Sequence, residues 1–311
     1  MKVSILMCSY NASAYIDRAI SSILNQTWQD WELIISDDAS TDNTVEIIKP
    51  YLVDNRIRLI THTTNLGYLK NKNTAFAHVS GDLITQIDAD DTCPPERIEK
   101  QVNVFLHHPE IRVCATNYRR INTNDQEIES LSYNNDLLIS EIVEDYPFWF
   151  PGVMFKKELI NEFGLFSEYF SGIFGDDEYW IARVNYKYPI YFLKDVLYNY
   201  RVHPDSMTNV FDNPRKMIAA EILNELKRQI KETGTDDIAL GHFEKMKAFE
   251  QGVFNNNKLM AEKYRRWAAT AIDGKRFPIA KKLLWISLRK DKSNFTTYRT
   301  IFYLFKARFL A

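Results

Sequence analysis

The chain has 311 residues, of which 45% are hydrophobic and 26% charged, and its formal net charge is −2. This composition excludes a disordered, collagen-like or low-complexity chain and allows one large core with a helical appendage. The small net charge hides a split, because residues 212–311 carry 21 Lys and Arg against 11 Asp and Glu, whereas residues 1–211 carry 18 and 30. We therefore expect an acidic first domain over 1–211 and a basic second region over 212–311.

The cysteines and the hydropathy pattern indicate a cytoplasmic location. Cys8, Cys93 and Cys114 form no C-x-x-C pair and cannot build a disulfide framework, so we expect reduced thiols. The first apolar run, residues 3–8, is too short for a signal-peptide core, and no window is apolar enough for a membrane-spanning helix. We expect neither a signal peptide nor a membrane span.

Short β-branched segments alternate with helix-length amphipathic segments over the first 120 residues. The predicted strands cover residues 3–7, 33–36, 57–60, 83–87 and 113–116. The predicted helices cover residues 14–24, 42–52, 69–79 and 96–106. A strand–helix repeat of about 25–30 residues predicts an α/β fold with a parallel central sheet flanked by helices.

The rest of the chain divides into two kinds of sequence. Residues 120–211 are less regular and rich in aromatic side chains, with strand-like segments at 190–193 and 196–200. Residues 214–309 follow a helical pattern, with predicted helices near 214–232, 238–252, 256–272 and 276–290.

Asp88-Ala89-Asp90-Asp91 directly follows a predicted buried strand. Ligands of open α/β sheets bind beyond the carboxyl ends of the strands. Three carboxylates in four residues repel each other unless a cation compensates, and hard oxygen ligands suit Mn²⁺ or Mg²⁺. The alternative is an acidic surface turn that begins the next helix.

Further polar residues end neighbouring strands. Asp37-Asp38 follows the second strand and could equally be a helix N-cap cluster. Asn65 and Gly67 form a turn after the third strand. No Gly-rich phosphate loop follows the first strand, so neither a dinucleotide fingerprint nor a P-loop is present.

Two later segments carry candidate catalytic groups. In residues 172–180, Asp177 stands at a predicted helix start and is a candidate general base, although first-turn acids also simply complement the helix dipole. In residues 199–208, Arg201 and His203 could reach a diphosphate or a metal; the alternative is a solvated loop.

From Val3 to about Thr208 the chain resembles the family 2 inverting glycosyltransferases, which have the Rossmann-like GT-A fold. The resemblance rests on segments that occur in the family's order. They are residues 3–5, Ser9-Tyr10-Asn11, Tyr15-Ile16, residues 19–27, residues 31–35, residues 37–42, Asn65-Leu66-Gly67, Gly81-Asp82, Asp88-Ala89-Asp90-Asp91, Pro95-Glu96-Arg97-Ile98, Gly175-Asp176-Asp177 and Tyr200-Arg201-Val202-His203.

The resemblance implies roles for individual residues. Asp177 is implied as the catalytic base. The implied donor nucleotide-binding residues, with UDP favoured, are Cys8, Tyr10, Asp38, Asn65, Lys72, Asp88, Asp90, Arg201 and His203. The candidate metal ligands are Asp90, Asp91 and His203, and the pattern does not decide which aspartate binds the ion.

The chain departs from the family pattern at three positions. Cys8 stands where many relatives have Pro, Asp176 replaces Glu before the base, and Lys72 replaces an Arg in the helix after the Asn-x-Gly turn. Lys keeps the charge of Arg but not its bidentate geometry, which weakens the case for a phosphate contact.

The expected function is metal-dependent, inverting transfer of a sugar from a nucleotide-sugar to a hydroxyl of a glycan or lipid-linked acceptor. A sugar-nucleotide-forming nucleotidyltransferase is a rival that lacks its Gly-rich loop here. A non-catalytic nucleotide-sugar-binding or scaffold module with the same fold is the other rival. Trp149, Trp180 and Asp176 are candidate acceptor contacts, with plain core packing as the alternative for the tryptophans.

The basic C-terminal region predicts a second interaction. Residues 258–311 contain 14 basic and 3 acidic residues mixed with aromatic ones. This composition is typical of helices that lie on anionic membranes, and an ordinary packed helix pair is the alternative. We expect a cytoplasmic protein that can lie on the inner face of the plasma membrane, and no nucleic-acid partner, because the ligand edge of the sheet is acidic.

Overall fold

The computed structural model describes residues 1–203 and 213–309. Residues 204–208 of the predicted Arg–His loop, and the last two residues, lie outside this range. The chain divides into two compact units. Residues 1–203 with Ile230–Gly234 form the first, and the remaining described residues form the second.

The first unit contains one nine-stranded mixed sheet. Its strands are β1 Val3–Ser9, β2 Trp31–Asp37, β3 Ile57–Thr61, β4 Leu83–Gln86, β5 Val113–Ile121, β6 Glu127–Ser130, β7 Leu137–Ile139, β8 Met154–Lys156 and β9 Ile190–Arg201. The order is β3-β2-β1-β4-β8-β5-β9-β7, with β6 paired to β5. The strands β3-β2-β1-β4 are parallel neighbours, and β5 and β9 form a second parallel pair.

Helices cover the sheet. They are α1 Ile16–Leu24, α2 Thr44–Ile48, α3 Tyr68–Phe76, α4 Arg97–His107, α5 Glu158–Phe163 and α6 Asp176–Lys187. Helix α1 buries Ile16, Ala19, Ile20 and Ile23, which recur at the spacing of one helix face. Both faces of β1 are buried, as expected for a central parallel strand. The predicted α/β class with a largely parallel central sheet is confirmed.

Several boundaries differ from the sequence-based prediction. The two predicted segments at 190–200 form one strand, β9, because its pairing with β5 continues through a register shift. The predicted helix over 42–52 ends its α-helical part at Ile48 and continues as a 3₁₀ turn, Lys49–Val53. Pro50 cannot donate a backbone hydrogen bond, which explains the change.

The second unit is helical. Its helices are α7 Ala219–Thr233, of which the last residues belong to the first unit, α8 Phe243–Asn255, α9 Asn257–Asp273, α10 Phe277–Lys290 and α11 Phe295–Phe309. A small core joins α9 to α10 through Ala268, Ile272 and Leu283. Among the described residues, no helix has both the length and the apolar character needed to cross a membrane.

Candidate active site

The acidic cluster lies where the central strand β4 ends. Oxygen atoms of Asp88, Asp90 and Asp91 all lie within 4.8 Å of one another. Burial, and then the nearby Asp90 carboxylate, raise the pKa of Asp88 to about 7. The carboxylates of the cluster therefore repel one another when they are ionised. A divalent cation would relieve this repulsion, and carboxylate oxygens are the hard ligands that such an ion prefers.

Asp91 anchors the cluster to β9. Its carboxylate accepts hydrogen bonds from the Tyr198 hydroxyl at 2.6 Å and from the Arg201 backbone N–H at 2.7 Å. Thr92, the next residue, forms a two-way backbone bridge with Asn199. Since both Asp91 oxygens already accept protein hydrogen bonds, Asp88 and Asp90 are the better placed carboxylates for a metal.

His203 and Arg201 both contact Asp90. His203 Nε2 lies 2.9 Å from Asp90 Oδ2, and the ring packs against Tyr15 with 4.9 Å between centroids. Arg201 donates through Nε to the Asp90 carbonyl at 2.6 Å and is fully buried. The structure thus places His203 beside the acidic cluster, whereas the Arg201 side chain is buried and holds the backbone of this loop.

Arg201 also contacts Asp125, a residue that sequence reasoning missed. Its guanidinium lies 2.6 Å from Asp125 Oδ1, and Asp125 also pairs with Arg18 at 2.9 Å. Asp125 has a positive φ of 64° in the turn between β5 and β6. The buried Arg201 side chain therefore links this turn to the loop that carries the acidic cluster.

The first turn of α6 carries the candidate base. Gly175 precedes the helix with a φ of 107°, a conformation that favours glycine. Burial, and then the Asp176 carboxylate, raise the pKa of Asp177 to about 6, while the Lys72 ammonium lowers it. The charge of Asp177 also raises the pKa of Asp88, so the candidate base and the acidic cluster share one electrostatic field.

Lys72 forms a buried ion pair with Asp176. Its Nζ lies 3.0 Å from Asp176 Oδ2 and 3.5 Å from the centroid of the Phe166 ring, and its side chain is 1% exposed. The Lys72 ammonium is covered and paired with Asp176, so it offers no free charge to a phosphate in this arrangement; its contact with a donor phosphate stays a prediction. Its cationic charge nevertheless acts on Asp88 and Asp177.

The ends of β1 and β2 form the other side of the site. Asp38 is buried and accepts hydrogen bonds from the backbone N–H groups of Leu66 and Gly67, at 2.7 and 2.9 Å, and so joins the β2 end to the Asn65 turn. Tyr10 is 51% exposed. Burial raises the pKa of the Cys8 thiol to about 12, so Cys8 is a neutral thiol at physiological pH.

The predicted acceptor contacts are only partly at the surface. The prediction that Trp180 is exposed to an acceptor is wrong. Its side chain is 1% exposed, packs against Phe155 and donates a hydrogen bond to the Gly164 carbonyl at 2.9 Å. Asp176 is also buried and pairs with Lys72. Trp149 is half-buried and packs on Tyr200 with 4.9 Å between centroids; its contact with an acceptor remains a prediction.

Tyr198 is a second site residue that the sequence did not reveal. Its buried hydroxyl donates to Asp91 and accepts a hydrogen bond from the Asp88 backbone N–H at 3.2 Å. Burial raises the pKa of this phenol well above its usual value, so it stays protonated and donates. No local pattern marks Tyr198, because 107 residues separate it from Asp91.

The sequence profile described as "Glycosyl transferase family 2" matches residues 4–173, more than half of the chain. Together with the nine-stranded sheet and the acidic cluster at its carboxyl edge, this match shows the class: the chain belongs to glycosyl transferase family 2 and is a glycosyltransferase.

Individual relatives agree with the family. The O-antigen biosynthesis glycosyltransferase WbnJ of Escherichia coli is 33% identical over 66% of this chain and 81% of its own length. The E. coli UDP-Glc:alpha-D-GlcNAc-diphosphoundecaprenol beta-1,3-glucosyltransferase WfgD is 39% identical over 39% of this chain and 47% of its own. The structure of Staphylococcus aureus TarS 1–349 with UDP-GlcNAc superposes with a TM-score of 0.61 at 19% identity, over 96% of this chain and 92% of that one, which shows a shared fold.

Proposed function

We propose that the chain transfers a sugar from a UDP-sugar to a hydroxyl of a glycan or lipid-linked acceptor, with inversion at the anomeric carbon. The observation that carries this proposal is the shared electrostatic field of Asp177 and the acidic cluster at the carboxyl edge of the sheet. A single displacement requires one base for the acceptor hydroxyl and a cation for the leaving diphosphate. Asp177 could serve as the base, and the acidic cluster could hold the cation.

The donor is proposed to lie across the carboxyl ends of β1, β2 and β4. The nucleobase would lie near Tyr10 and Cys8, with the turn that Asp38 holds at Asn65 closing one side. Two similar proteins support UDP as the nucleotide, since WfgD is named for UDP-Glc and TarS was solved with UDP-GlcNAc.

Asp88 and Asp90 are proposed to hold Mn²⁺ or Mg²⁺, with Asp91 fixing the loop beneath them. The ion would neutralise negative charge on the diphosphate. His203 contacts Asp90 through Nε2 and would join the ion by exchanging this contact. Arg201 keeps the loop in place from its buried position.

Asp177 is proposed to take the proton of the acceptor hydroxyl as that oxygen attacks the anomeric carbon. The nucleotide diphosphate then leaves from the opposite face of the sugar, which inverts the centre. A base with a pKa of about 6 is ionised at neutral pH yet retains more proton affinity than an ordinary aspartate.

The chain is further proposed to act in bacterial surface-polysaccharide biosynthesis from the cytoplasmic side, peripheral to the membrane. The names of WbnJ and WfgD support this proposal, since one refers to O-antigen and the other to a diphosphoundecaprenol acceptor. A lipid-linked acceptor would require the enzyme to work at a membrane surface.

The test begins with thermal shifts of the full chain with UDP, GDP, dTDP and CMP, each with and without Mn²⁺. We expect a shift of several degrees with UDP that depends on Mn²⁺. UDP release from UDP-Glc and UDP-GlcNAc is then compared between the wild type and Asp177→Asn, which should retain the UDP shift and lose about 10²–10⁴-fold in turnover.

Glu178→Gln, on the same helix turn, is the matched control and should keep turnover. Near wild-type turnover of Asp177→Asn would refute the base assignment. UDP binding by a wild type that releases no UDP from any donor would instead favour the non-catalytic binding module.

A further inference from the structure

Helix α11 exposes its largest apolar residues and buries its smaller ones. Thr297 and Thr300 are buried, and Ile301, Leu304 and Ala307 pack against the core of α9 and α10. On the opposite side Phe295 and Phe302 are each 73% exposed and Phe305 is 58% exposed. The contacts of α11 with α9 and α10 thus come from its inward side, and Tyr303 of the outward side adds one hydrogen bond to Asp273. The exposed phenylalanines contribute little to this packing.

The exposed residues form one continuous face. Positions 295, 298, 302 and 305 recur at three- and four-residue steps, which places their side chains in one row along the helix. A shallow groove along this row is lined by Phe295, Tyr298, Arg299, Phe302, Tyr303 and Lys306. Single exposed apolar residues are normal on soluble proteins, whereas a contiguous row marks an interaction surface.

The charges on this helix have one sign. Phe295–Phe309 contains Arg299, Lys306 and Arg308 and no acidic residue. On α10, Trp285 is 56% exposed with the Arg289 guanidinium 4.2 Å from its ring centroid. Exposed aromatic rings interleaved with basic groups are suited to a surface that is apolar below and anionic above.

We propose that the aromatic face of α11, defined as Phe295, Tyr298, Phe302, Tyr303 and Phe305 with Arg299 and Lys306, binds the interface of an anionic lipid bilayer. The rings would enter the acyl boundary while the basic groups contact lipid phosphates. A second copy of the chain fits less well, because pairing two such faces would place like charges together. The inference rests on the second unit alone and does not depend on the proposed transfer reaction.

Flotation of the full chain with lipid vesicles tests the proposal. Vesicles with about 30 mol% phosphatidylglycerol in phosphatidylcholine should carry the wild type upward, and pure phosphatidylcholine vesicles should carry far less. Phe302→Ser/Phe305→Ser should lower vesicle affinity at least about tenfold. Arg299→Gln/Lys306→Gln should lower it about fivefold per charge, and high salt should reproduce this loss.

Leu106→Ser/Leu240→Ser is the matched apolar control, since these leucines are 52% and 55% exposed elsewhere on the chain. Lys245→Gln/Lys247→Gln on α8 is the matched charge control. Both controls should float like the wild type. UDP thermal shifts of all variants are recorded in parallel, which separates a failure of this proposal from a failure of the proposed function.

The proposal is overturned if the wild type stays unbound with anionic vesicles, or if the α11 variants float as well as the controls. Equal binding to neutral vesicles would refute the anionic requirement. Sedimentation velocity without lipid tests whether the face binds a second copy of the chain instead. A wild-type dimer that Phe302→Ser/Phe305→Ser dissociates, together with no vesicle binding, would assign the face to a second copy.

Discussion

At the scale of single residues, the charges of the buried Lys72–Asp176 pair act on the pKa of Asp177, the proposed base. Burial alone pushes the pKa of Asp177 upward, and Asp176 adds to this effect. Lys72 opposes both, since its ammonium is held 3.0 Å from Asp176 and next to the site. Two of the three positions at which the chain departs from the family pattern, Lys72 and Asp176, are therefore in contact with each other.

The pH dependence of kcat/KM should report this arrangement. If Asp177 is the base, it can accept a proton only when deprotonated, so kcat/KM should fall as pH decreases through about 6. Lys72→Met removes the cation that lowers the pKa of Asp177, so the acidic limb of the profile should move to higher pH. Initial rates of UDP release between pH 5 and pH 8 measure both effects.

Lys70→Met is the control, because Lys70 lies on the same helix but is 52% exposed and screened by solvent. Its profile should match the wild type. Lys72→Met/Asp176→Asn removes both the cation that lowers the pKa of Asp177 and the carboxylate that raises it. The acidic limb of its pH profile should therefore return toward the wild-type position. A limb that does not move in Lys72→Met would contradict the role given to Lys72.

At the scale of elements, the hydrophobic pattern was sufficient to predict the parallel half of the sheet. β1, β2 and β4 are buried, β-branched and bounded by polar residues, and their carboxyl ends carry Ser9, Asp37 and the acidic cluster. The rule that ligands bind at these ends therefore located Asp88 and Asp90 correctly within the fold.

Other parts of the pattern could not be predicted from local sequence. β6 is exposed throughout and β7 is three residues long, so neither has the periodicity that identifies a strand. Lys72 and Asp176 are 104 residues apart, and only the tertiary fold brings them together. Motif residues such as Gln26 are structural: its side chain accepts from the Ile98 N–H and donates to the Pro94 carbonyl, which fixes the start of α4.

Gly81 connects the start of β4 to β1 at close range. A Cβ atom at this position would lie 2.7 Å from the Lys2 carbonyl oxygen and 2.7 Å from the Ser4 nitrogen, both of them backbone atoms. Gly81→Ala should therefore lower the free energy of unfolding by about 1–3 kcal/mol, since the two strands must move apart. Urea denaturation measures the change.

Gly152→Ala is the matched control in the same unit, because its Cβ would meet no atom closer than 3.5 Å, an ordinary contact. This variant should stay within about 0.5 kcal/mol of the wild type. Equal stability of the two variants would show that β1 and the start of β4 can accommodate a Cβ atom at position 81 without cost.

At the scale of the whole molecule, folding brings several carboxyl groups of the acidic first domain close together and changes their pKa values. The pKa of Asp88 is raised to about 7 and that of Asp177 to about 6, both above the ordinary 3.8. A carboxyl group that holds its proton more tightly when folded contributes stability that is lost as pH rises from about 4 to about 7. Glu32 and Glu262, whose pKa values are lowered to about 2, lose their contributions only at more acidic pH.

Because the two kinds of carboxyl group lose their contributions to stability in different pH ranges, the melting temperature should depend on pH. Without divalent ions, Tm should fall between pH 5 and pH 7.5, because the acidic cluster becomes charged over this range. Mn²⁺ should raise Tm by several degrees at pH 7.5 and by much less at pH 5, where protons compete for the same carboxylates. Differential scanning fluorimetry at the two pH values, with Mn²⁺ or a chelator, measures both differences.

Two variants connect this whole-molecule effect to the cluster. Asp90→Asn removes a charge that raises the pKa of Asp88, so the fall of Tm with pH should be shallower and the gain from Mn²⁺ should disappear. Glu129→Gln, an exposed site on β6, should behave as the wild type. A gain from Mn²⁺ that is equal at both pH values, or that survives in Asp90→Asn, would mean that the ion binds elsewhere. In that case the repulsion among Asp88, Asp90 and Asp91 would have to be relieved by protonation alone.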